Sequence, residues 1–413
     1  MKTRLLVSGG ILLPLLGLAA AASAQTISSA ANQTFVVGDP STVISPITIT
    51  ATSGGQIKTS NDIRVRIPAG LNMTWDPTIT TATITGSAAI KVSTTVSYAN
   101  GNLDLFINVT TNFGNGDQIT VSGLKFTNFT APSAASRLGL ITGGAGGAVV
   151  ATDNNTKTIV AKVYAVSVSP HTTTASQLPS NGVNYTVAFT VTNTGNGSGS
   201  TSYDLLTAKR PGTVLTTVSI AGAGITQGAN PDSARLTSLL AGSSAIATVT
   251  YSVAMAASGT KDTLVFKARA VLSPATTDTG KLTLTVVRPT MTVAKSVSPG
   301  GTQLPGANLT YTVTLTNIGS SNAASVVVVD TLPPAVLFKV GSIVNTLPAG
   351  VSVVVAYSNN GGATWTYVPT SGGCGAIAGY DGCVNRVRWS LQNPLSSTAP
   401  NNTGTLQLVT QIR

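Results

Sequence analysis

Residues 309–334 read LTYTVTLTNIGSSNAASVVVVDTLPP. In the first half of this stretch Leu309, Tyr311, Val313 and Leu315 alternate with Thr310, Thr312, Thr314 and Thr316. A period of two puts apolar side chains on one face and hydroxyls on the other. That is the pattern of a strand with one side in a core and one in water. Threonine, branched at Cβ, suits the exposed pleat. The polar cluster Asn317-Ile318-Gly319-Ser320 breaks the run as a turn. A second strand is expected from Ser325 to Val329, stopping at Asp330 before Leu332-Pro333-Pro334.

The same design recurs upstream. Val183, Tyr185, Val187, Phe189 and Val191 alternate with Asn184, Thr186, Ala188, Thr190 and Thr192, and the break follows at residues 193–197. Ser169-Pro170 matches Ser298-Pro299, Gln177-Leu178-Pro179 matches Gln303-Leu304-Pro305, and Asp204 matches Asp330. The offsets run from 124 residues (Thr192 to Thr316) to 129 (Ser169 to Ser298), which marks an internal repeat of domain size. Ahead of the repeat lie further alternating runs. Residues 61–68 and 103–109 read as strands, the latter with Asp104 and Asn108 on its polar side, and Asn100-Gly101 is a type I′ hairpin signal. Gly123 kinks a strand over 117–126, residues 143–147 form a glycine loop, and closing strands are expected over 148–151 and 158–164. Short strands at this spacing predict an all-β chain of tandem immunoglobulin-like β-sandwich domains. The expected divisions are 1–24, 25–164, 165–289 and 290–413, with Arg288-Pro289 as a linker.

Residues 1–24 read MKTRLLVSGGILLPLLGLAAAASA. A basic start, a short apolar core and Ala22-Ser23-Ala24 before Gln25 define a secretory signal peptide. No other stretch approaches the roughly 20 apolar residues of a spanning helix.

Composition narrows the chemistry. The 413 residues are 42% hydrophobic and only 8% charged. All twelve acidic side chains are aspartate, and His171 is the single histidine. The net charge of +11 falls to +9 without Lys2 and Arg4. With no Lys/Arg cluster interleaved with aromatics, nucleic-acid binding is not expected. The i, i+2 pairs Arg64/Arg66, Lys267/Arg269 and Arg386/Arg388 read as solvated strand faces that also discourage edge pairing.

Few residues are candidates for a site. Cys374 and Cys383, the only cysteines, flank a glycine-rich loop in an exported chain, which predicts a disulfide. Lys295 and Asp330 are the one pair suited to an isopeptide cross-link, though no glutamate is present to move protons. Asp153 with Asn154 and Asn155 is the best local cluster for calcium, read more simply as a turn. Trp75, Trp365 and Trp389 are the rings from which a sugar-stacking platform would be built; Trp389 is expected inward and Trp365 exposed. His171 in Pro-His-Thr-Thr-Thr reads as a loop residue, and neither a nucleophile elbow nor a P-loop occurs.

Residues 290–413 resemble the conserved repeat domain of bacterial surface proteins, a domain family of unknown function. The resemblance rests on Lys295 in VAKSVSP, YTVTLTNIG at 311–319, VVVVDTLPP at 326–334, the turn at 359–362 leading to Trp365, and Val387-Arg388-Trp389. The second block looks like a relative without the DTLPP ending. The resemblance implies an immunoglobulin-like sandwich, a bacterial source and a secreted or cell-surface setting, with the periplasm also compatible. It implies no catalytic, cofactor-binding or metal residues.

The function expected from these readings is that of an exported cell-surface structural or adhesive protein, not an enzyme. A secreted carbohydrate- or matrix-binding protein is the alternative. Expected partners are other surface proteins or cell-envelope polymers, with self-assembly open through sheet edges, the final strand at 406–413 in particular.

Overall fold

The computed structural model describes residues 25–52, 57–144, 146–180, 182–209 and 214–413. The signal peptide expected over 1–24 lies outside the described residues. Among those described, no helix is long and apolar enough to cross a membrane. The described residues are all-β, apart from one short 3₁₀ turn at Ala89–Lys91. By packing it forms two compact units. One holds the residues up to Ala165 with Thr194–Thr201 and Leu240–Gly242. The other holds Val166–Asn193, Ser202–Leu239 and Ser243–Arg413.

The first unit is built on a six-stranded sheet: Gln33–Val36, Ala151–Val160, Ser133–Ile141, Ile63–Arg66, Asp104–Val109 and Val92–Ala99, in spatial order. A four-stranded and a three-stranded sheet complete its layers. Within its core Phe35 stacks on Phe129 and meets Phe126 edge-on, and Trp75 lies tilted against Phe126. The Asn100-Gly101 turn is of the primed kind, with φ of 55° and 63°, and joins Val92–Ala99 to Asp104–Val109. Gly123 (φ 84°) bends the chain between Gln118–Ser122 and Lys125–Thr127, which belong to different sheets. The polar run at 153–156 is not a turn but the middle of the Ala151–Val160 strand. Its inward carboxylate has buried partners there, which offsets the cost of placing it in a sheet.

The second unit contains two sandwiches. In the first of them, one sheet runs Val166–Ser169, Asn184–Asn193, Ser244–Val253, Leu215–Ala221. This is the A-B-E-D order of an immunoglobulin fold. The facing sheet runs Thr172–Gln177, Thr277–Val286, Lys261–Ala270, Ser200–Lys209, then the hairpin Ser233–Leu240 and Ile225–Gln227. Thr172–Gln177 pairs in parallel with the final strand of that sheet. Phe189 and Phe266 stack face to face at 4.8 Å between the layers.

The other sandwich repeats part of this plan. Met291–Ser298, Asn308–Asn317 and Thr403–Ile412 lie side by side, followed by Val336–Lys339 and Tyr380–Asp381. The facing sheet has three strands: Val327–Thr331, Arg386–Leu391 and Val353–Ser358. The repeat is visible in detail. Ser169-Pro170 and Ser298-Pro299 are both cis. Asn193 and Asn317 are both buried at the ends of matching strands. Each donates its amide to a main-chain carbonyl, Leu239 O in one case and Ser321 O and Leu395 O in the other.

Three sequence expectations are corrected. The strand placed at 325–329 is Val327–Thr331, so Asp330 lies within it and points inward, whereas Asp204 alternates with the buried Tyr203 and Leu205 and points outward. The two aspartates align in sequence, but their strands turn them to opposite faces. The final strand, Thr403–Ile412, is no sheet edge; it is paired on both sides. The basic i, i+2 pairs also sit on interior strands rather than edges.

Candidate functional site

The first candidate is the disulfide loop. Cys374 and Cys383 are bonded, with Cα atoms 5.3 Å apart. The loop is organised by Asp381, which is fully buried. Its Oδ2 accepts the Tyr367 hydroxyl at 2.8 Å and the Thr370 amide at 2.7 Å, and its Oδ1 accepts the Cys383 amide at 2.7 Å. Three donors meet the hydrogen-bonding demand of a carboxylate removed from water. Burial, and then the neighbouring Asp381, push the Tyr367 hydroxyl above its ordinary pKa, so it remains a donor. Gly373 is required by contact: a Cβ there would lie 2.5 Å from Asp381 Oδ1. Asp381 belongs to none of the motifs in the sequence; the signal for it is a lone aspartate inside a cysteine loop.

Beside this loop the chain turns through Gly361 and Gly362, both at positive φ, toward Trp365. The Arg388 guanidinium sits 4.6 Å from the centre of the Trp365 ring. Trp75 and Trp389 are fully buried. The three tryptophans therefore do not form a platform, and Trp365 alone keeps part of its ring in solvent, with one face under Arg388.

The structure does bring Lys295 and Asp330 together. Lys295 Nζ lies 2.5 Å from Asp330 Oδ1, and 4.4 Å from the Tyr311 ring centre. This ion pair bridges the two sheets of its sandwich. Asp330 is 7% exposed, and its Oδ2 is buried with no hydrogen-bond partner.

Asp153 is a different kind of site from the one its neighbours suggested. It is fully buried, accepts the Ser29 amide at 2.6 Å and the Ser29 hydroxyl, and faces Lys157 Nζ at 3.4 Å. The position a cation would take is filled by the Lys157 ammonium. Burial pulls the Lys157 pKa down, and Asp153 opposes that shift. Asn155 caps Ser29 O, while Asn154 points to solvent. No group of three or more His, Cys or Asp side chains suited to a metal ion occurs among the described residues.

The remaining candidates are surface features. The His171 side chain is 72% exposed, with its ring Nδ1 3.2 Å from Thr279 O and 3.9 Å from Asp278. Arg66 forms a two-point pair with the buried Asp104, Arg269 binds Asp204, and Arg64 lies over Phe106. Basic side chains thus cover the outer faces of interior strands.

No family model matches the chain, and no curated protein matches it. Solved structures do match. The C-terminal domain of the Streptococcus agalactiae AgI/II polypeptide BspA is 10% identical over 63% of this chain and 99% of its own, with a TM-score of 0.23. Zebrafish RET cadherin-like domains 1 to 4 are 12% identical over 64% of this chain and 52% of theirs, at 0.27. The CFA/I enterotoxigenic E. coli adhesin CfaE is 11% identical over 62% of this chain and 96% of its own, at 0.24.

Proposed function

We propose that the chain is an exported bacterial cell-surface protein with a structural or adhesive role, in which three sandwich modules, 25–164, 165–289 and 290–413, act as spacers and contact surfaces. The observation that carries this reading is the repeat: two sandwiches in one chain share the buried strand-end asparagine, the serine-proline step and the Thr-faced strand. A repeated module with few charges and a hydroxyl-rich face is suited to extending a chain and meeting other polymers rather than to enclosing a substrate. The signal peptide expected over 1–24 and the resemblance of 290–413 to a surface-protein repeat support the same compartment.

The test is fractionation of producing cells, with immunolocalisation and the intact mass of the recovered protein. The expected result is a chain beginning at Gln25 at the cell surface or in the medium. An uncleaved chain retained in the cytoplasm refutes the reading. A pulldown from the correct fraction with cell-envelope polymers as bait then addresses adhesion.

A further inference from the structure

The charges of the first sandwich in the second unit lie on one of its two sheets. The sheet of Val166–Ser169, Asn184–Asn193, Ser244–Val253 and Leu215–Ala221 has no charged residue in any of these strands. The facing sheet carries Arg235, Lys261, Lys267, Arg269 and Lys281. Each alternates with buried residues and so points away from the core. In a chain only 8% charged, one sheet that holds the charge and one that holds none is a built asymmetry.

Strand pairing gathers these cations into one field. Arg269 lies opposite Asp204 on one side and Thr277 on the other. Lys267, two residues earlier on the same strand, lies between Leu206 and Thr279. Lys281 lies opposite Val265 and Thr172, which makes it the diagonal neighbour of Lys267. Neighbours of both kinds stand roughly 7–8 Å apart. Among the described residues, Asp204 is the one carboxylate at an outward position on these strands; it pairs with Arg235 at 2.7 Å and Arg269 at 2.9 Å. Asp262 and Asp278 instead accept main-chain amides of the other sheet, those of Leu215 and Val168. Lys261, Lys267 and Lys281 have no carboxylate partner among the described residues. The outward positions around them are hydroxyls, among them Thr172, Thr263, Thr279 and Thr283, with no aromatic ring. Where Ser200–Lys209 meets the hairpin, Asp204, Leu206, Gln227, Arg235 and Thr237 line an open basin of about 430 Å³.

We propose that this face binds an anionic polysaccharide, a chain of sugars with recurring carboxylates, laid across the strands from the basin beside Arg235 to Lys281. Charge complementarity names the occupant: five cations face outward with one carboxylate among them. The unpaired lysines supply the attraction, threonine hydroxyls meet sugar hydroxyls, and the basin takes one ring. Asp204, held between two guanidiniums, shows how the face seats a carboxylate. A nucleic acid is the poorer fit, because no ring is present on which a base could stack. The assignment rests on the adhesive role proposed above only for bringing such a polymer within reach.

The test uses the purified full chain, polygalacturonate as the probe and uncharged dextran as the control, with binding read by biolayer interferometry. The expected result is saturable binding to polygalacturonate that weakens at high salt, and none to dextran. Lys267→Glu with Lys281→Glu weakens it at least tenfold. Lys58→Glu with Lys339→Glu, at exposed positions elsewhere, changes the net charge equally and leaves binding within about twofold. Amine acetylation of the unaltered chain gives an answer that needs no variant. Polygalacturonate slows the reaction of Lys261, Lys267 and Lys281 at least threefold and leaves Lys58 and Lys339 unchanged. Absence of binding overturns the proposal. So does equal weakening by the two double variants, or uniform slowing of all lysines, since either makes net charge rather than this face the cause. A thymidine oligonucleotide of equal charge that competes as well as polygalacturonate also overturns it. A surface location without binding sinks this proposal alone, whereas binding by a chain retained in the cytoplasm sinks only the role proposed above.

Discussion

The two sandwiches of the second unit begin alike and end differently. Both open with an edge strand, a cis serine-proline step and a long strand closed by a buried asparagine. In one, the valine before that serine is sealed by later strands; in the other it stands 41% exposed. The same local sequence thus gives the same local structure, while burial is decided by strands that arrive nearly a hundred residues later. Local pattern fixes which face of a strand is apolar. It does not fix whether anything covers that face.

This contrast can be broken or sharpened by substitution. The largest effect is expected for Phe266→Ala, which empties the stack on Phe189. It should cost about 3–5 kcal/mol in the complete sandwich, whereas Val293→Ala in the open one should cost less than about 0.5 kcal/mol. Urea unfolding followed by segment-resolved hydrogen exchange separates the two. Similar costs at both sites would mean that the open face is covered in solution. Reduction of Cys374–Cys383 comes next. Releasing a loop of this length should cost roughly 2–3 kcal/mol in the chain-entropy model. The loss should be confined to the sandwich that carries the loop, and calorimetry with and without reductant reads it as a shift in one transition.

Two smaller effects test the likeness rather than the difference. Asn193→Ala and Asn317→Ala each strand buried carbonyls, so each should cost about 1–3 kcal/mol. Comparable losses in the two sandwiches, by denaturant titration, sharpen the equivalence; a loss in only one breaks it. Lys295→Ala should cost about 1–3 kcal/mol, because it leaves the Asp330 carboxylate, 7% exposed, without its partner, and Lys295→Ala/Asp330→Asn should recover part of the loss.

Much of the architecture was legible in the sequence. Alternation over 183–192 and 309–316 marked the strands Asn184–Asn193 and Asn308–Asn317 to within a residue, Asn100-Gly101 marked a real primed turn, and two cysteines around a glycine loop marked a real disulfide. What failed was whatever depends on distant partners. Asp153 reads as a turn residue because Ser29, 124 positions away, is invisible to local pattern. Asp204 and Asp330 align in sequence but face opposite ways, because the strands that carry them are entered in different phase. The final strand, read at 406–413 and open for edge pairing, is Thr403–Ile412, with Val336–Lys339 and Val344–Thr346 folded back against it. The candidate contact features were only half readable, since the covering of Trp365 by Arg388 joins a loop residue to a strand across a disulfide loop.

The pairing of Met291–Ser298, Asn308–Asn317 and Thr403–Ile412 has a mechanical meaning. The first and last of these strands run in the same direction, each antiparallel to the one between them. A pull applied between Thr290 and Arg413 therefore draws the outer strands in opposite senses along their own axes. Inter-strand hydrogen bonds lie across the strands, so the ladders are loaded together in shear rather than opened one rung at a time. Asn317 Oδ1, which accepts the Thr290 amide at 3.2 Å, stands at the point where the load enters. Single-molecule stretching of the chain should register this as a discrete, high-force step, and Asn317→Ala should lower that force.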